Sequence, residues 1–390
     1  MLLPVPERIA IKKVCSKWKE ACELAWYDIK NYSFGGGVFD GKLLAPSYVE
    51  EALSNFGIYL RVLALWRNCN SSVMPIIEHI DININHWDIK TPNILNNILN
   101  SSKSIRYCNI MLHPDCNAPD ISIKNWDNLL NLEHLGTRWR INNNTAIKLV
   151  KYCKNLRSLD IRSEGIIETA LQKLTELKNL DTLNYSFADG IAMDELDNAI
   201  LTISNTWKKL KHLTISDDSP PDDIDVDNIE PFDPSVIYDE LSKLQYLEEL
   251  NVLNMRDFQD SSIIAIANSS LMSIISLENL EELNVGNIDG VTDNFISKLK
   301  GLKKLRCEYS KNITDAGMIQ CLKNCPNLEA LCLYHSNITI NTLVGADEIT
   351  QNRINNIVLY LFYNNSTEAS KLKTKSKWLV LRPGKRNYCG

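Results

Sequence analysis

The sequence predicts an α/β solenoid in which short parallel strands alternate with helices. One observation is a recurring six-residue phrase, Leu-x-x-Leu-x-(Leu/Val/Ile/Cys), which supplies one short strand to each repeated unit. A second is that segments between phrases, such as IIETALQKLTEL and DNFISKLKGL, place apolar residues three and four apart, which indicates helices that bury one face. The clearest copies of the phrase are Leu156/Leu159/Ile161, Leu210/Leu213/Ile215, Leu247/Leu250/Val252, Leu280/Leu283/Val285, Leu302/Leu305/Cys307 and Leu328/Leu331/Leu333.

The spacing of the phrases predicts a leucine-rich-repeat horseshoe. Successive phrases begin roughly 22 to 37 residues apart, the period at which such repeats supply one strand and one helix each. A single unit cannot bury its apolar edge alone, so neighbouring units must stack into a curved array with an extended concave binding surface. Weaker phrases extend the array from Leu60/Leu63/Leu65 to a last unit at Ile354/Ile357/Leu359, which gives about ten or eleven strands.

Composition changes divide the chain into segments. We expect the solenoid at residues 48–370, after an N-terminal segment at 1–33 and a linker at 34–47 that contains Gly35-Gly36-Gly37. Residues 216–234 are rich in Asp and Pro and have little to bury, so they predict an exposed acidic insertion. Residues 371–390 form a basic tail, in which the apolar stretch Trp378–Leu381 predicts a final edge strand.

The overall composition is that of a globular protein. An apolar share of 44%, a charged share of 23% and a net charge of -6 lack the basic excess typical of nucleic-acid binding, so we expect no nucleic-acid partner. No apolar run reaches the roughly 20 residues that span a bilayer, so we expect no membrane association and a cytoplasmic or nuclear location. The 11 cysteines are scattered at inward-facing repeat positions, which favours reduced core thiols.

The motifs give no support for catalysis. His113 and Cys116, and likewise Cys321 and Cys325, lack a second pair at the spacing of a zinc site. The glycines at 35–37 lack the Lys-Ser/Thr of a phosphate-binding loop, and no Gly-x-Ser-x-Gly is present. We therefore expect no catalytic residues, no metal, no cofactor and no enzymatic activity. A hydrolase or transferase on an unusual solenoid is the remote alternative.

The odd positions of each strand phrase point away from the core and supply candidate target-binding residues. Arg306, Tyr334 and Tyr360 come from three successive phrases, so we expect them to stand in one row about 5 Å apart per strand. Aromatic and Arg side chains are common anchors of protein interfaces. The alternative is a solvated sheet face without a partner. The candidates on this face are Asp160, Arg162, Asn284, Arg306, Tyr334 and Tyr360.

The N-terminal segment LLPVPERIAIKKVCSKWKEACELAW predicts a helix with an apolar stripe. Its order of Leu-Pro-x-x-Glu-Arg, then Val-Cys-x-x-Trp, then Trp eight residues later resembles the second half of an F-box. The repeats resemble the cysteine-containing subclass found in F-box proteins, with CPNLEAL at 325–331, YCKNLRSL at 152–159, GVTD at 290–293 and ITDAG at 313–317. The first F-box helix, with its Leu-Pro start and Ile-Phe pair, has no counterpart in this sequence.

The resemblance implies a function. In F-box proteins the F-box binds a Skp-family linker of a Skp-cullin-F-box ubiquitin ligase, and the repeats capture the protein to be ubiquitinated. The chain would then be a non-catalytic substrate adaptor, with a linker and a cullin scaffold as partners. The alternative is a leucine-rich-repeat scaffold that binds a protein partner without any ubiquitin ligase. The residues that match the linker contacts are Leu3, Pro4, Pro6, Ile9, Val14, Cys15 and Trp18, with Trp26 closing the module.

Overall fold

The computed structural model describes residues 4–34, 51–52, 54–55, 59–65, 77–84, 99–112, 123–137, 141, 143–162, 168–187, 193–217, 239–253, 272–288, 290–364 and 372–383. Most of the linker expected at 34–47 and of the acidic insertion expected at 216–234 therefore lies outside the described residues. The chain divides into two compact units, Met1–Leu180 and Asp181–Gly390.

Each unit is built on parallel strands that follow one another in chain order. Fourteen strands are described, more than the ten or eleven expected, and two of them, β1 and β14, lie outside the expected array. The first unit contains β1 (Asn31–Phe34), β2 (Val62–Leu65), β3 (His79–Ile84), β4 (Tyr107–Leu112), β5 (His134–Thr137) and β6 (Ser158–Arg162). The second contains β7 (Thr182–Phe187), β8 (His212–Asp217), β9 (Glu249–Leu253), β10 (Glu282–Asn284), β11 (Lys304–Arg306), β12 (Ala330–Cys332), β13 (Leu359–Tyr363) and β14 (Leu379–Pro383).

Helices alternate with the strands, which confirms the predicted α/β leucine-rich-repeat solenoid. Short 3-10 helices at Trp26–Asp28, Trp126–Leu129 and Met272–Ser276 supplement them. No helix in the described part of the chain is long and apolar enough to cross a membrane. The α-helices are α1 (Val5–Ile11), α2 (Ser16–Ala25), α3 (Asn143–Tyr152), α4 (Glu168–Leu174), α5 (Met193–Thr206), α6 (Asp293–Ile296), α7 (Asp315–Asn324) and α8 (Ile340–Gln351).

A column of leucines forms the core of the second unit. The central leucine of each phrase pairs with the same residue of the next strand, and every member is at most 2% exposed. Burying one such side chain stabilises the fold by about 1.5–3 kcal/mol. The column runs through Leu213, Leu250, Leu283, Leu305, Leu331 and Leu361.

Side-chain hydrogen bonds connect consecutive repeats in addition to the sheet. The Asn179 amide donates to the Lys154 carbonyl at 2.8 Å, and the Asn279 amide donates to the Gln245 carbonyl at 2.8 Å. Each bond satisfies a backbone carbonyl at the turn between a helix and the next strand. Both bonds lie at the exposed surface, so each contributes only about 0.5–1.5 kcal/mol. The repeats are therefore held in register by polar as well as apolar contacts.

The last two strands correct one expectation and match another. Leu331 pairs with Leu361, so the expected phrase at Ile354/Ile357/Leu359 is misplaced by four residues, and Ile354 is 96% exposed. The last strand, β14, lies in the segment assigned to the basic tail, as expected for Trp378–Leu381, and pairs with β13. The buried carboxylate of Asp347 anchors the chain before β14, accepting from the N–H of Ser376 at 2.8 Å.

The cysteines match the expectation of reduced thiols only in part. Seven described cysteines are free, and most of them are buried: Cys15, Cys22, Cys108, Cys153, Cys307, Cys321 and Cys325. Burial raises the pKa of the Cys153 and Cys108 thiols to about 12. The expectation is wrong at Cys332, which is disulfide-bonded.

Candidate protein-interaction faces

The N-terminal segment forms two helices rather than one continuous helix. Helix α1 ends at Ile11, and α2 begins at Ser16 after the extended residue Cys15. The break turns the two helices against each other, so that Ile9, Cys22 and Trp26 are at most 4% exposed. A continuous apolar stripe from Ile9 to Trp18 was therefore a wrong prediction. Helical periodicity alone does not locate the break.

Arg8 fixes this two-helix arrangement. Its guanidinium is buried, lies 2.8 Å from the Asp28 carboxylate and donates to the Ala25 carbonyl at 2.9 Å. The guanidinium carbon also lies 5.8 Å from the centre of the Trp26 ring. The hydrogen bond from Arg8 lowers the pKa of Asp28. The Arg of the F-box-like motif thus serves the chain's own packing.

Further contacts fasten α1 to the following segment. The Lys12 ammonium donates to the Asn55 side-chain oxygen at 2.7 Å, and the Lys13 ammonium lies 3.0 Å from Glu51. Strand β1 follows directly after Asp28 and pairs in parallel with β2. The sheet therefore begins at Asn31, before the expected boundary at residue 48.

The residues expected to contact a linker occupy different environments. Val14 is 71% exposed and Trp18 is 46% exposed. Pro4 and Cys15 are exposed and Pro6 is half-buried, whereas Leu3 lies outside the described residues. Ile9 is only 4% exposed, because it packs in the core of the two helices, and it is not available to a partner. The sequence analysis missed two further exposed apolar residues, Leu24 and Tyr27.

In the second unit, the sheet face that points away from the core carries two parallel rows of side chains. One row runs Glu282, Lys304, Ala330 and Tyr360, and the other runs Asn284, Arg306, Cys332 and Phe362. Strands β10 and β11 alternate as predicted, with a buried leucine between two half-buried polar residues. Asn284 and Arg306 are therefore direct neighbours on adjacent strands.

The predicted row of Arg306, Tyr334 and Tyr360 does not exist. Tyr334 follows β12 rather than lying in it, and it is 3% exposed. Tyr360 lies in the row of Lys304, because the last repeat is displaced by four residues from the predicted alignment. Successive side chains alternate between the two faces of a strand, so a displacement of four residues leaves Tyr360 on the face that points away from the core. Its side chain is 41% exposed there.

The polar contacts described on this face do not involve the Arg306 side chain. Lys304 lies 2.8 Å from Glu282, and the Asn251 amide donates to Glu249 at 2.7 Å. The described residues provide no hydrogen bond or ion pair to the Arg306 guanidinium, which is half-buried. A shallow depression over Leu283 is lined by Glu249, Asn251, Glu282, Asn284, Lys304 and Arg306.

Asp160 and Arg162 belong to the first unit, on β6. Asp160 is half-buried and pairs with Gly136 of β5, which in turn pairs with Asn109 of β4. A Cβ at position 136 would overlap the Asn109 side-chain oxygen, so glycine leaves room for that amide. The side chain of Arg162 lies outside the described residues.

A stacked ladder of three aromatic rings lies beside these residues, and the sequence analysis missed it. Tyr107 stacks between His79 at 4.0 Å and His134 at 4.1 Å, and His134 Nδ1 lies 2.7 Å from the Ser158 hydroxyl. Burial lowers the pKa of His134 to about 4 and also lowers that of His79. The available signal was an aromatic ring immediately before the central apolar residue in three weak phrases.

The geometry defines a leucine-rich-repeat solenoid with exposed apolar residues in its N-terminal segment and a polar depression on the sheet face of its second unit. Among the described residues, no three His, Cys, Asp or Glu side chains are grouped so as to hold a metal ion.

Comparisons with known proteins found only distant structural similarity. No protein-family model and no curated protein matches the sequence. Among solved structures, the TLR13–ssRNA13 complex gives a TM-score of 0.44 at 14% identity, covering 87% of this chain and 51% of that chain. The Rad7 and Elc1 complex in yeast gives a TM-score of 0.40 at 13% identity, covering 95% of both chains. The chain spans about half the length of the TLR13 chain, and the fold assignment rests on its own strand register.

Proposed function

We propose that this chain is the substrate-recognition subunit of a Skp-cullin-F-box ubiquitin ligase. The repeats bind the target protein, and the N-terminal helices bind a Skp-family linker. The chain itself makes and breaks no bonds; it raises the effective concentration of the target near the transfer machinery. The observation that carries the proposal is the exposure of Val14, in the turn between α1 and α2, and of Trp18, on α2, in a segment that resembles the second half of an F-box.

The exposed side chains suit a docking role. Val14 is 71% exposed and Trp18 is 46% exposed, although both are apolar and the helices bury other apolar residues well. Aromatic side chains at the centre of an interface contribute much of its binding energy. The ion pair of Arg8 with Asp28 holds α1 against the end of the N-terminal segment, and the contact of Lys12 with Asn55 joins that segment to the residues before β2.

The proposal is tested by binding of the purified full chain to a purified Skp-family linker. We expect the double variant Val14→Asp and Trp18→Asp to lose linker binding, because burying a carboxylate in an apolar interface is costly. The matched control is Ala10→Asp with Ser16→Asp, which adds the same charge at exposed positions of α1 and α2. The control should retain binding. Equal linker binding by the wild type and the Val14/Trp18 variant contradicts the proposal.

A second candidate is a leucine-rich-repeat scaffold without a link to ubiquitin. The observation that favours it is the internal use of Arg8, Ile9 and Trp26, which pack the two helices together beside the first strand. Solenoids require such caps, because a terminal repeat otherwise exposes its apolar edge. A wild-type chain that is folded and binds a target protein but no linker would support the scaffold.

A further inference from the structure

Arg306 is a cation on a binding face that lacks an anionic partner among the described residues. The nearest candidate on the neighbouring strand, Glu282, is occupied by Lys304 at 2.8 Å. Glu249 accepts a hydrogen bond from Asn251, and Glu308, two positions along the chain from Arg306, makes no ion pair with it. A planar guanidinium offers paired N–H donors that fit a carboxylate in bidentate geometry.

Asn284 supplies a second donor beside Arg306. The two residues are paired in register on β10 and β11, about 4.8 Å apart at the backbone. The Asn284 side-chain oxygen accepts a hydrogen bond from the N–H of Gly286 at 3.1 Å, which orients the amide. Its NH2 group is then the end available to a ligand on this face. Arg306 and Asn284 together place donors on the same face of two adjacent strands.

The local charge indicates which anion fits. The depression contains two carboxylates, Glu249 and Glu282, and two cations, Lys304 and Arg306, so it is neutral before a ligand binds. A carboxylate adds one negative charge, whereas a phosphate group adds about 1.5 to 2 at neutral pH. The neighbouring glutamates repel the phosphate more strongly. A single carboxylate is the better match.

We infer that Arg306 and Asn284 form a subsite for an Asp or Glu side chain of the target protein. Tyr360, which is 41% exposed and two strands from Lys304, receives an apolar side chain of the same segment. Tyr360 lies two strands from Arg306 and two residues away along the strand, which together give roughly 12 Å, a distance that an extended peptide covers in roughly three to four residues. The inference depends on target binding by the repeats, and not on the linker.

The test uses pools of synthetic, C-terminally amidated dodecapeptides and the immobilised full chain. One pool fixes Glu and Phe three positions apart, in both orders, and the other positions vary among uncharged residues. Matched pools replace Glu by Gln or by phosphoserine. Recovery of each pool is quantified by mass spectrometry for the wild type, for Arg306→Gln and for Asn284→Asp. Lys300→Gln removes one exposed positive charge outside the strands and serves as the control.

We expect the wild type to retain the Glu pool at least about tenfold better than the Gln pool, the ratio that corresponds to roughly 1.4 kcal/mol. Arg306→Gln and Asn284→Asp should abolish this preference while melting at the wild-type temperature, and Lys300→Gln should keep it. Equal retention of the Glu and Gln pools, or an equal loss in Lys300→Gln, overturns the inference. Preferential retention of the phosphoserine pool overturns the choice of a carboxylate. Because no linker is present, failure here is distinct from failure of the linker proposal.

Discussion

The carboxylate of Asp315 accepts hydrogen bonds from both the backbone N–H of Thr339, at 2.8 Å, and its hydroxyl, at 2.6 Å. Asp315 is the first residue of α7, and Thr339 is the residue immediately before α8. The first residue of one helix therefore binds the N-cap residue of the next helix. The same arrangement occurs one repeat earlier, where Asp293 accepts a hydrogen bond from the N–H of Thr314 at 2.7 Å. A Cβ at Gly317 would overlap Asp293, which accounts for the glycine in ITDAG.

Replacing Asp315 should loosen the contact between the last helices. Burial raises the pKa of Asp315, but hydrogen bonds from Thr339 and Thr342 outweigh it and leave the pKa below its usual value. Asp315→Ala should therefore reduce the free energy of unfolding by about 1–3 kcal/mol at neutral pH, measured by urea denaturation. The wild type should lose this contribution as pH falls through the range in which Asp titrates, because the unfolded state then binds more protons. An unchanged midpoint at neutral pH would contradict this role.

The glycine at position 136 should be coupled to Asn109. Gly136→Ala should destabilise the first unit, because the new Cβ would overlap the Asn109 side-chain oxygen. Asn109→Ala removes the side chain that the new Cβ would meet. The loss of unfolding free energy in the double variant Gly136→Ala with Asn109→Ala should therefore be smaller than the sum of the losses in the two single variants. A double-mutant cycle by thermal or urea unfolding measures this difference. Strict additivity would show that the Asn109 amide moves aside without cost.

The sequence predicted the fold and part of the binding face because leucine spacing determines which side of a strand is buried. At β10 and β11 the phrase and the register agree, so Asn284 and Arg306 were placed on the outward face. At the last repeat, apolar Ile354 and Ile357 precede the strand and resemble a phrase, although Ile354 is almost fully exposed. An apolar pattern alone cannot exclude such a four-residue displacement.

Two other features depend on contacts between segments that are distant in the sequence. The break between α1 and α2 is stabilised by the contact of Arg8 with Asp28, twenty positions later. The stacking of His79 on Tyr107 and of Tyr107 on His134 depends on the register of three strands with weak phrases. Each ring is visible in the sequence, but their alignment appears only when the strands pair.

The corrected register separates residues that bind from residues that support the fold. Leu305→Ala should reduce the free energy of unfolding by roughly 2–5 kcal/mol through a cavity in the leucine column. Tyr334→Ala should also destabilise clearly, because Tyr334 is 3% exposed. Arg306→Ala, on an outward position, should leave the urea midpoint nearly unchanged. A loss in Arg306→Ala as large as in Leu305→Ala would show that the outward face is part of the core.

The aromatic ladder should make the stability of the first unit sensitive to acid. The pKa of His134 is about 4 in the folded chain, chiefly because burial disfavours the charged ring, whereas an unfolded His titrates near 6.5. Between these values the unfolded state binds more protons, so stability is complete above about pH 6.5 and declines as pH falls toward about 4. The ring is partly solvated, so the loss should be on the order of 2 kcal/mol.

The measurement is the free energy of urea unfolding of the wild type and His134→Gln from about pH 4 to pH 8, with a probe in the first unit. His134→Gln removes the titrating ring, so its decline toward acid should be shallower, and the remaining slope should come in part from His79, whose pKa is also lowered by burial. The matched control is His335→Gln, an exposed ring of the second unit that stacks on Tyr309. The control should keep the wild-type slope. If His134→Gln and the wild type decline equally, the ladder does not contribute to acid sensitivity.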